Sequence, residues 1–326
     1  IAYLYNNSSF SGLNELALDT LDIINYGFAR VTDDGVVSVM GLSEAETVLA
    51  LRKEGVRVLL CIGGYADGAI PFSKAAQTQA GREKLASSIV DTIERYHFDG
   101  VDIDWEYPGF YSNWNIGLEE DKANYTLLMQ EIRRQVKASN QDYLVTAALP
   151  GGPWLPARYN IGDLADVLDY FLLMTYDLNS SEISTHHTAL NASSLSVAAS
   201  SVTDTVNHYI DYGVAPEKII VGAAFYGRSF NLQDGQPIMR GQASSTQSIT
   251  YNNIHALYLQ NLHQDHITRY WDDVAKAPYL HNSNTNVVIT YDDYESIQYK
   301  SEYIIENNLG GIMFWEFMQD STDTLM

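Results

Sequence analysis

The stretch FDGVDIDWEYPG, residues 98–109, sets Asp99, Asp102, Asp104 and Glu106 among Val101, Ile103 and Trp105. Charge at this density ordinarily belongs on a solvated face, yet the intervening side chains are those of a core. A β-strand resolves the conflict. Its side chains alternate with period two, so Asp102, Asp104 and Glu106 point one way and Val101, Ile103 and Trp105 the other. Neighbouring carboxyls then lie ~6.5–7 Å apart along the strand. Asp99, lower and out of phase, reads as structural.

Seven further apolar runs read as strands: IAYLY (1–5), IINYGFARV (23–31), VRVLLCIGG (56–64), YLVTAALP (143–150), YFLLMTYD (170–177), KIIVGAAFYG (218–227) and GGIMFWE (310–316). Helical periodicity separates most of them. Leu85, Ile89 and Ile93 share a face, as do Tyr125, Leu128, Met129, Ile132 and Val136, and Val202, Val206 and Ile210 lead to a C-terminal Gly213. Eight alternating strand–helix units predict an α/β fold, a (β/α)8 TIM barrel, with a doubly wound open sheet as the structural rival. Residues 229–289 are polar, rich in Asn and Gln, and carry aromatic runs such as TRYWDD. They predict a small α+β insertion between strands seven and eight that forms one wall of a groove, leaving 1–228 and 290–326 as the barrel. The terminal DSTDTLM reads as the first turn of a helix.

In a barrel the apolar face of the acidic strand packs under helices. The carboxylates then face the interior and climb toward the C-terminal rim, where barrel active sites sit. Three buried carboxyls this close cannot all ionise cheaply, so a proton is shared or retained. A retained proton at the top of the ladder is what a general acid needs at neutral pH. A metal site and a solvated edge strand are the alternatives. No His-rich spacing accompanies the acids, and an edge strand would not place Val, Ile and Trp behind them. An acid–base hydrolase is the reading from chemistry alone.

Composition narrows the partners. The formal charge of −22 repels phosphate backbones and anionic lipid surfaces, which argues against nucleic-acid and membrane partners and leaves a neutral polymer acceptable. No run of 18 apolar residues appears. Cys61 is the only cysteine, so no intrachain disulfide forms. Asn7, Asn124 and Asn191 stand in N-x-S/T sequons.

The acidic stretch resembles the D-x-x-D-x-D-x-E signature of glycoside hydrolase family 18, the chitinases. The likeness continues in order along the chain through INYGFA (24–29), LLCIGGY (59–65), DYFLLMTYDL (169–178), KIIVGAAFYGRSF (218–230), YWDDVAKAPYL, ITYDDYESI and LGGIMFWE (309–316). The resemblance implies a secreted, monomeric enzyme that needs no cofactor or metal and takes chitin or chito-oligosaccharides. The ordinary two-carboxylate scheme would make Asp104 a nucleophile, but this family is an exception in which the substrate's own acetamide attacks. By resemblance Glu106 is the general acid, Asp104 orients the acetamide, and Asp102 shares a proton beneath it. Tyr176 and Asp177 hold the acetamide and the distorted sugar, and Met174 lines their pocket. Tyr226 and Arg228 contact sugar, Trp315 is the floor under the sugar, and Tyr107 and Tyr65 extend the path on the leaving-group side. Tyr3 occupies a first-strand position near the ladder and is expected among the sugar contacts. Two departures stand out: Cys61 replaces the serine of the family's S-x-G-G, and Tyr65 replaces a common Trp. An endo-β-N-acetylglucosaminidase acting on N-glycan cores and a carbohydrate-binding lectin of the same fold are the competing readings. Lectins of this kind lose the final acid of the ladder.

Overall fold

The computed structural model describes residues 1–6, 20–40, 42, 45–65, 69–112, 115–154, 158–262, 266–322 and 324–326; Asn7 of the first sequon lies outside them. All eight expected strands form, seven of them trimmed at their ends and Ile23–Val31 at its full expected length. They are β1 (Ala2–Tyr5), β2 (Ile23–Val31), β3 (Arg57–Gly63), β4 (Gly100–Asp104), β5 (Leu144–Pro150), β6 (Tyr170–Met174), β7 (Ile219–Ala224) and β13 (Gly311–Trp315). Between β7 and β13 run β8 (Tyr226–Leu232), β9 (Ala243–Thr250), β10 (Ile267–Asp272), β11 (Ala277–Asn282) and β12 (Val287–Tyr291). The helices are α1 (Ala45–Ala50), α2 (Ala69–Ala76), α3 (Gln79–Tyr96), α4 (Asp121–Ser139), α5 (Ile161–Leu164), α6 (Val202–Asp211), α7 (Tyr251–Leu257) and α8 (Tyr294–Glu306). The parallel strands follow the hydrogen-bonded order β1-β13-β7-β6-β5-β4-β3-β2 and return to β1, the closed order of a (β/α)8 barrel. The chain divides into two compact units, one of residues 1–149, 154–172 and 211–218, the other of 150–153, 173–210 and 219–326.

In the first unit, register sets what faces the acids. Cys61 of β3 and Thr146 of β5 stand opposite Asp102 of β4, and neighbours in a parallel ladder point the same way. On the other face Val101, Ile103 and Trp105 are buried as the alternation predicts. Trp105 stacks on Phe72 of α2 at 5.5 Å and meets Tyr125 of α4 at 5.8 Å. The predicted stripes of α3 and α4 are likewise buried, each large apolar side chain contributing roughly 1.5–3 kcal/mol. Glu106 departs from the ladder: β4 ends at Asp104, and Glu106 lies on the bend that follows.

The close approach of β3 to β4 depends on a glycine pair. Gly63 has φ +118°, and a Cβ there would stand 2.0 Å from the carbonyl oxygen of Asp104. Gly64 donates its N–H to that same oxygen at 2.8 Å.

In the second unit β7 pairs with β13 in parallel, with Ala224 opposite Trp315. The five strands between them form an antiparallel sheet in the order β9-β8-β12-β11-β10. The run expected as one strand to residue 227 therefore splits. Phe225 N–H still bonds to the Trp315 carbonyl, but Tyr226 pairs with Thr250 and so belongs to the antiparallel sheet together with Arg228. On α6 the buried face is Val202, Thr205, Val206 and Tyr209, and Ile210 is exposed. Steps of four residues drift ~40° each around a helix, which carries Ile210 off the stripe. Gly213, at φ +91°, follows its end as expected. The described part of 321–326 is turn and coil rather than helix, with Asp320 accepting from the N–H groups of Thr322 and Leu325.

Two alanine substitutions separate backbone conformation from steric fit. Gly55 shares the left-handed conformation (φ +90°) but has nothing within 4 Å of an added Cβ. Gly55→Ala is expected to cost about 1 kcal/mol in urea unfolding and Gly63→Ala at least about 3 kcal/mol. Equal losses would show that the contact with Asp104 is not limiting.

Candidate active site

The first unit gathers Asp102, Asp104, Glu106, Tyr3 and Tyr107 around the C-terminal end of β4. Asp102 is fully buried and accepts from Thr146 Oγ1 at 2.6 Å, Tyr3 OH at 2.8 Å and Cys61 Sγ at 3.1 Å. Burial raises its pKa, and the three donors pull against that rise. Asp104 is also buried, but its Oδ1 accepts no hydrogen bond from the described residues. Burial, then the charges of Glu106 and Asp102, push its pKa well above the carboxylate range, while Arg30 opposes them. The proton of the ladder therefore resides most readily on Asp104. Burial and the charge of Asp102 also push the Cys61 thiol up, so it stands as a neutral S–H donor.

Glu106 is half-buried at the head of this series, and Tyr107 beside it hydrogen-bonds to it through its side chain. Tyr3, expected among the sugar contacts, is instead buried, with its hydroxyl directed to Asp102. Tyr65 follows the glycine pair and is 62% exposed. Asp99 accepts from Arg52 at 2.6 Å and from the N–H of Val58 at 2.8 Å, a tie at the foot of β4.

Trp154 joins this group, and the sequence reading did not single it out. Its ring meets Tyr107 edge-on at 5.0 Å and is 41% exposed. Arg158 lies over both Trp154 (5.5 Å) and Phe110 (5.0 Å), bracing the cluster by cation–π contact. A large aromatic in the Pro- and Gly-rich loop after β5 was the available signal.

The second unit gathers Tyr176, Asp177, Tyr226 and Arg228. Asp177 lies beyond the end of β6 at φ +58°. Arg228 grips its carboxylate with both arms, Nε to Oδ1 at 2.8 Å and Nη2 to Oδ2 at 2.6 Å. Burial alone would raise the pKa of Asp177, but neighbouring His187 and Arg228 outweigh it and bring it down to about 2. His187 is fully buried with Nδ1 3.8 Å from Asp177 Oδ1, and burial pushes its imidazole pKa down despite that carboxylate. Its ring tilts against Tyr226 at 5.4 Å, and Tyr226 meets Tyr176 edge-on at 5.9 Å. The Tyr176 hydroxyl approaches Met313 Sδ at 3.9 Å. Met174 ends β6 and Trp315 ends β13, both half-buried. His187 is a second residue that the sequence reading missed, because its partner Asp177 comes to it through a loop.

Among the described residues no group of three or more His, Cys, Asp or Glu side chains is arranged to hold a metal ion. Nor is any described helix long and apolar enough to cross a membrane.

Comparison with known proteins bears on the whole arrangement. The sequence profile of glycosyl hydrolases family 18 matches residues 1–320. The chain is 35% identical over 290 residues to chitinase A1 of Niallia circulans, covering 83% of this chain and 41% of that protein. It is 32% identical over 296 residues to endochitinase 1 of Metarhizium robertsii, covering 87% and 66%. It thus spans less than two thirds of either relative. Among solved structures, a family 18 N-acetylglucosaminidase from Paenibacillus barengoltzii superposes with a TM-score of 0.92 at 31% identity, covering 99% of this chain and 96% of that one.

The state of Asp104 makes a stability prediction. Its folded pKa lies above the unfolded value of about 3.9, so the folded chain binds the extra proton and stability falls as pH rises from about 4 through the folded pKa. Asp104→Asn should therefore be more stable than the parent at pH 7, by about 1–2 kcal/mol in urea unfolding, with the gain vanishing toward pH 4. A variant less stable at pH 7 contradicts the assignment.

Proposed function

The chain belongs to glycosyl hydrolase family 18, and from that membership we propose that it hydrolyses β-1,4-linked N-acetylglucosamine polymers with retention of configuration. The observation that carries this reading is the intact acid series: two buried aspartates, one bare of donors at Oδ1, leading to a half-buried Glu106. Glu106 protonates the glycosidic oxygen as the bond to the anomeric carbon breaks. The acetamide oxygen of the same sugar closes onto that carbon and gives an oxazolinium ion. Asp104 orients the acetamide N–H and, as its proton passes to Asp102 beneath it, stabilises the developing positive charge. Water then adds to the anomeric carbon, Glu106 takes its proton, and the ring reopens.

Tyr176, Asp177, Tyr226 and Arg228 hold the sugar, with Trp315 beneath it and Met174 alongside. An apolar ring face suits the C–H face of a pyranose. Tyr107, Tyr65 and Trp154 carry the leaving-group side of the polymer. A neutral polymer is compatible with a chain of net charge −22. Secretion, a monomeric state and a groove wall formed by residues 229–289 complete the proposal.

A second reading keeps the chemistry and changes the product. The likeness to the N-acetylglucosaminidase of P. barengoltzii supports release of single N-acetylglucosamine units, and the likeness to the endochitinase of M. robertsii supports internal cleavage. Chromatography of products from chito-oligosaccharides separates the two.

The deciding experiment follows the product anomer by NMR. β-Anomer appearing first is expected; α-anomer rules out retention, and no product under varied conditions favours a lectin. Glu106→Gln should lower kcat by about two to four orders of magnitude; an undiminished rate removes Glu106 from the role. Cys61→Ser replaces a weak donor to Asp102 with a stronger one, which favours the ionised carboxylate. The acid limb of its pH–rate profile should move to lower pH, and superimposable profiles would sink that role for the thiol.

A further inference from the structure

Asp292 and Lys300 form an ion pair in which neither side chain has any exposure, with Nζ 2.5 Å from Oδ2. Taking both charges out of water is expensive, and a well-packed apolar pair of the same volume is often as stable or more so. Stability alone does not explain the pair. What it touches does.

Asp292 Oδ2 accepts the backbone N–H of Ala224 at 3.1 Å, and Oδ1 accepts from Ser296 Oγ at 2.8 Å. Lys300 Nζ also donates to Thr188 Oγ1 at 2.6 Å. The Thr188 hydroxyl lies 3.0 Å from the Thr175 carbonyl and 3.3 Å from Asp292 Oδ2. Because Lys300 fills its acceptor side, its one proton goes to the nearer partner, Thr175. Thr175 in turn ties β6 to β7, accepting from Gly222 N–H at 2.9 Å and donating to the Gly222 carbonyl at 2.7 Å.

The three backbone positions held this way adjoin the sugar-holding cluster. Thr175 immediately precedes Tyr176 and Asp177, Thr188 immediately follows His187, and Ala224 stands two residues before Tyr226. We propose that the Lys300–Asp292 pair, acting through the Thr188 hydroxyl, is the positioning centre that sets Tyr176, Asp177, His187 and Tyr226 in place for the −1 sugar. The pair touches no substrate itself. Its charges suit the task because an ammonium and a carboxylate impose directed contacts on several strand ends at once, which an apolar plug cannot do. This assignment rests on the hydrolase reading above.

Thr188 offers the clean test, since Thr188→Val keeps the shape and removes the hydroxyl, and Thr188→Ser keeps the hydroxyl. On chito-oligosaccharides the Val variant should lose about ten- to a hundredfold in kcat with KM changed far less, while the Ser variant stays near the parent. Melting temperature is measured alongside. A Val variant that melts lower yet keeps the parental kcat overturns the inference, because the hydroxyl then serves stability only. A Ser variant that falls as far as Val overturns it as well. Should the Val variant not fold, Asp292→Asn, which keeps an acceptor for Ala224 N–H but not the charge, is judged by the same criterion. A parent that cleaves nothing sinks the hydrolase reading and this inference with it; an active parent with an unaffected Val variant sinks the inference alone.

Discussion

Asp102 and Asp104 stand two residues apart on a five-residue strand, both removed from water, and much of the surrounding structure compensates for that placement. Desolvating a carboxylate costs several kcal/mol unless partners replace the lost water. The compensation is unequal. Asp102 collects one donor each from β1, β3 and β5: Cys61 and Thr146 stand in register on the two flanking strands, and Tyr3 comes from β1, which does not pair with β4. Asp104 has an oxygen with no donor among the described residues and is relieved by protonation. The asymmetry is chemical capacity: one site anchored as an acceptor, the next keeping a proton, and Glu106 beyond them half in solvent.

The opposite face of the same strand offsets the cost. Trp105 packs on Phe72 of α2 and Tyr125 of α4, and Val101 and Ile103 are buried beside it, so β4 is held from behind by apolar packing while its front carries the acids. Gly63 lets β3 approach the Asp104 carbonyl, where any side chain would intrude, and Gly64 leaves room for the Phe28 ring. A strand with so much apolar support on one face tolerates an electrostatic penalty on the other. The candidate active site and a stability deficit then occupy the same residues.

The elements legible in the sequence were those governed by local periodicity. Eight apolar runs became eight strands, and the stripes of α3 and α4 matched their buried faces. Alternation also identified the faces of β4. It set the strand end too late before Glu106, and again at Phe225, whose N–H bond to Trp315 closes one sheet while the next residue, Tyr226, opens another. Period-two reasoning cannot see a strand end that depends on a partner some 90 residues distant in sequence. The Lys300–Thr188 contact spans 112 residues and was illegible for the same reason. Motif resemblance, rather than periodicity, pointed to Asp177 and Arg228. That they grip each other bidentately emerges only in three dimensions.

Asp177 shows how such a grip works. A non-glycine residue at φ +58° carries a backbone penalty of about 1–2 kcal/mol. The Arg228 fork is the evident compensation, yet the Asp177 side chain is 44% exposed, and ion pairs open to solvent contribute no more than about 1 kcal/mol. The two terms nearly cancel, so the local conformation is not secured by the ion pair alone. Backbone restraint from the preceding residue must supply the rest, and the Thr175 carbonyl is bound from within by Thr188. A side chain proposed to meet the sugar cannot also be the one that fixes its own backbone. Support has to come from behind, from groups that never meet the sugar, and the buried Lys300–Asp292 pair stands in that position.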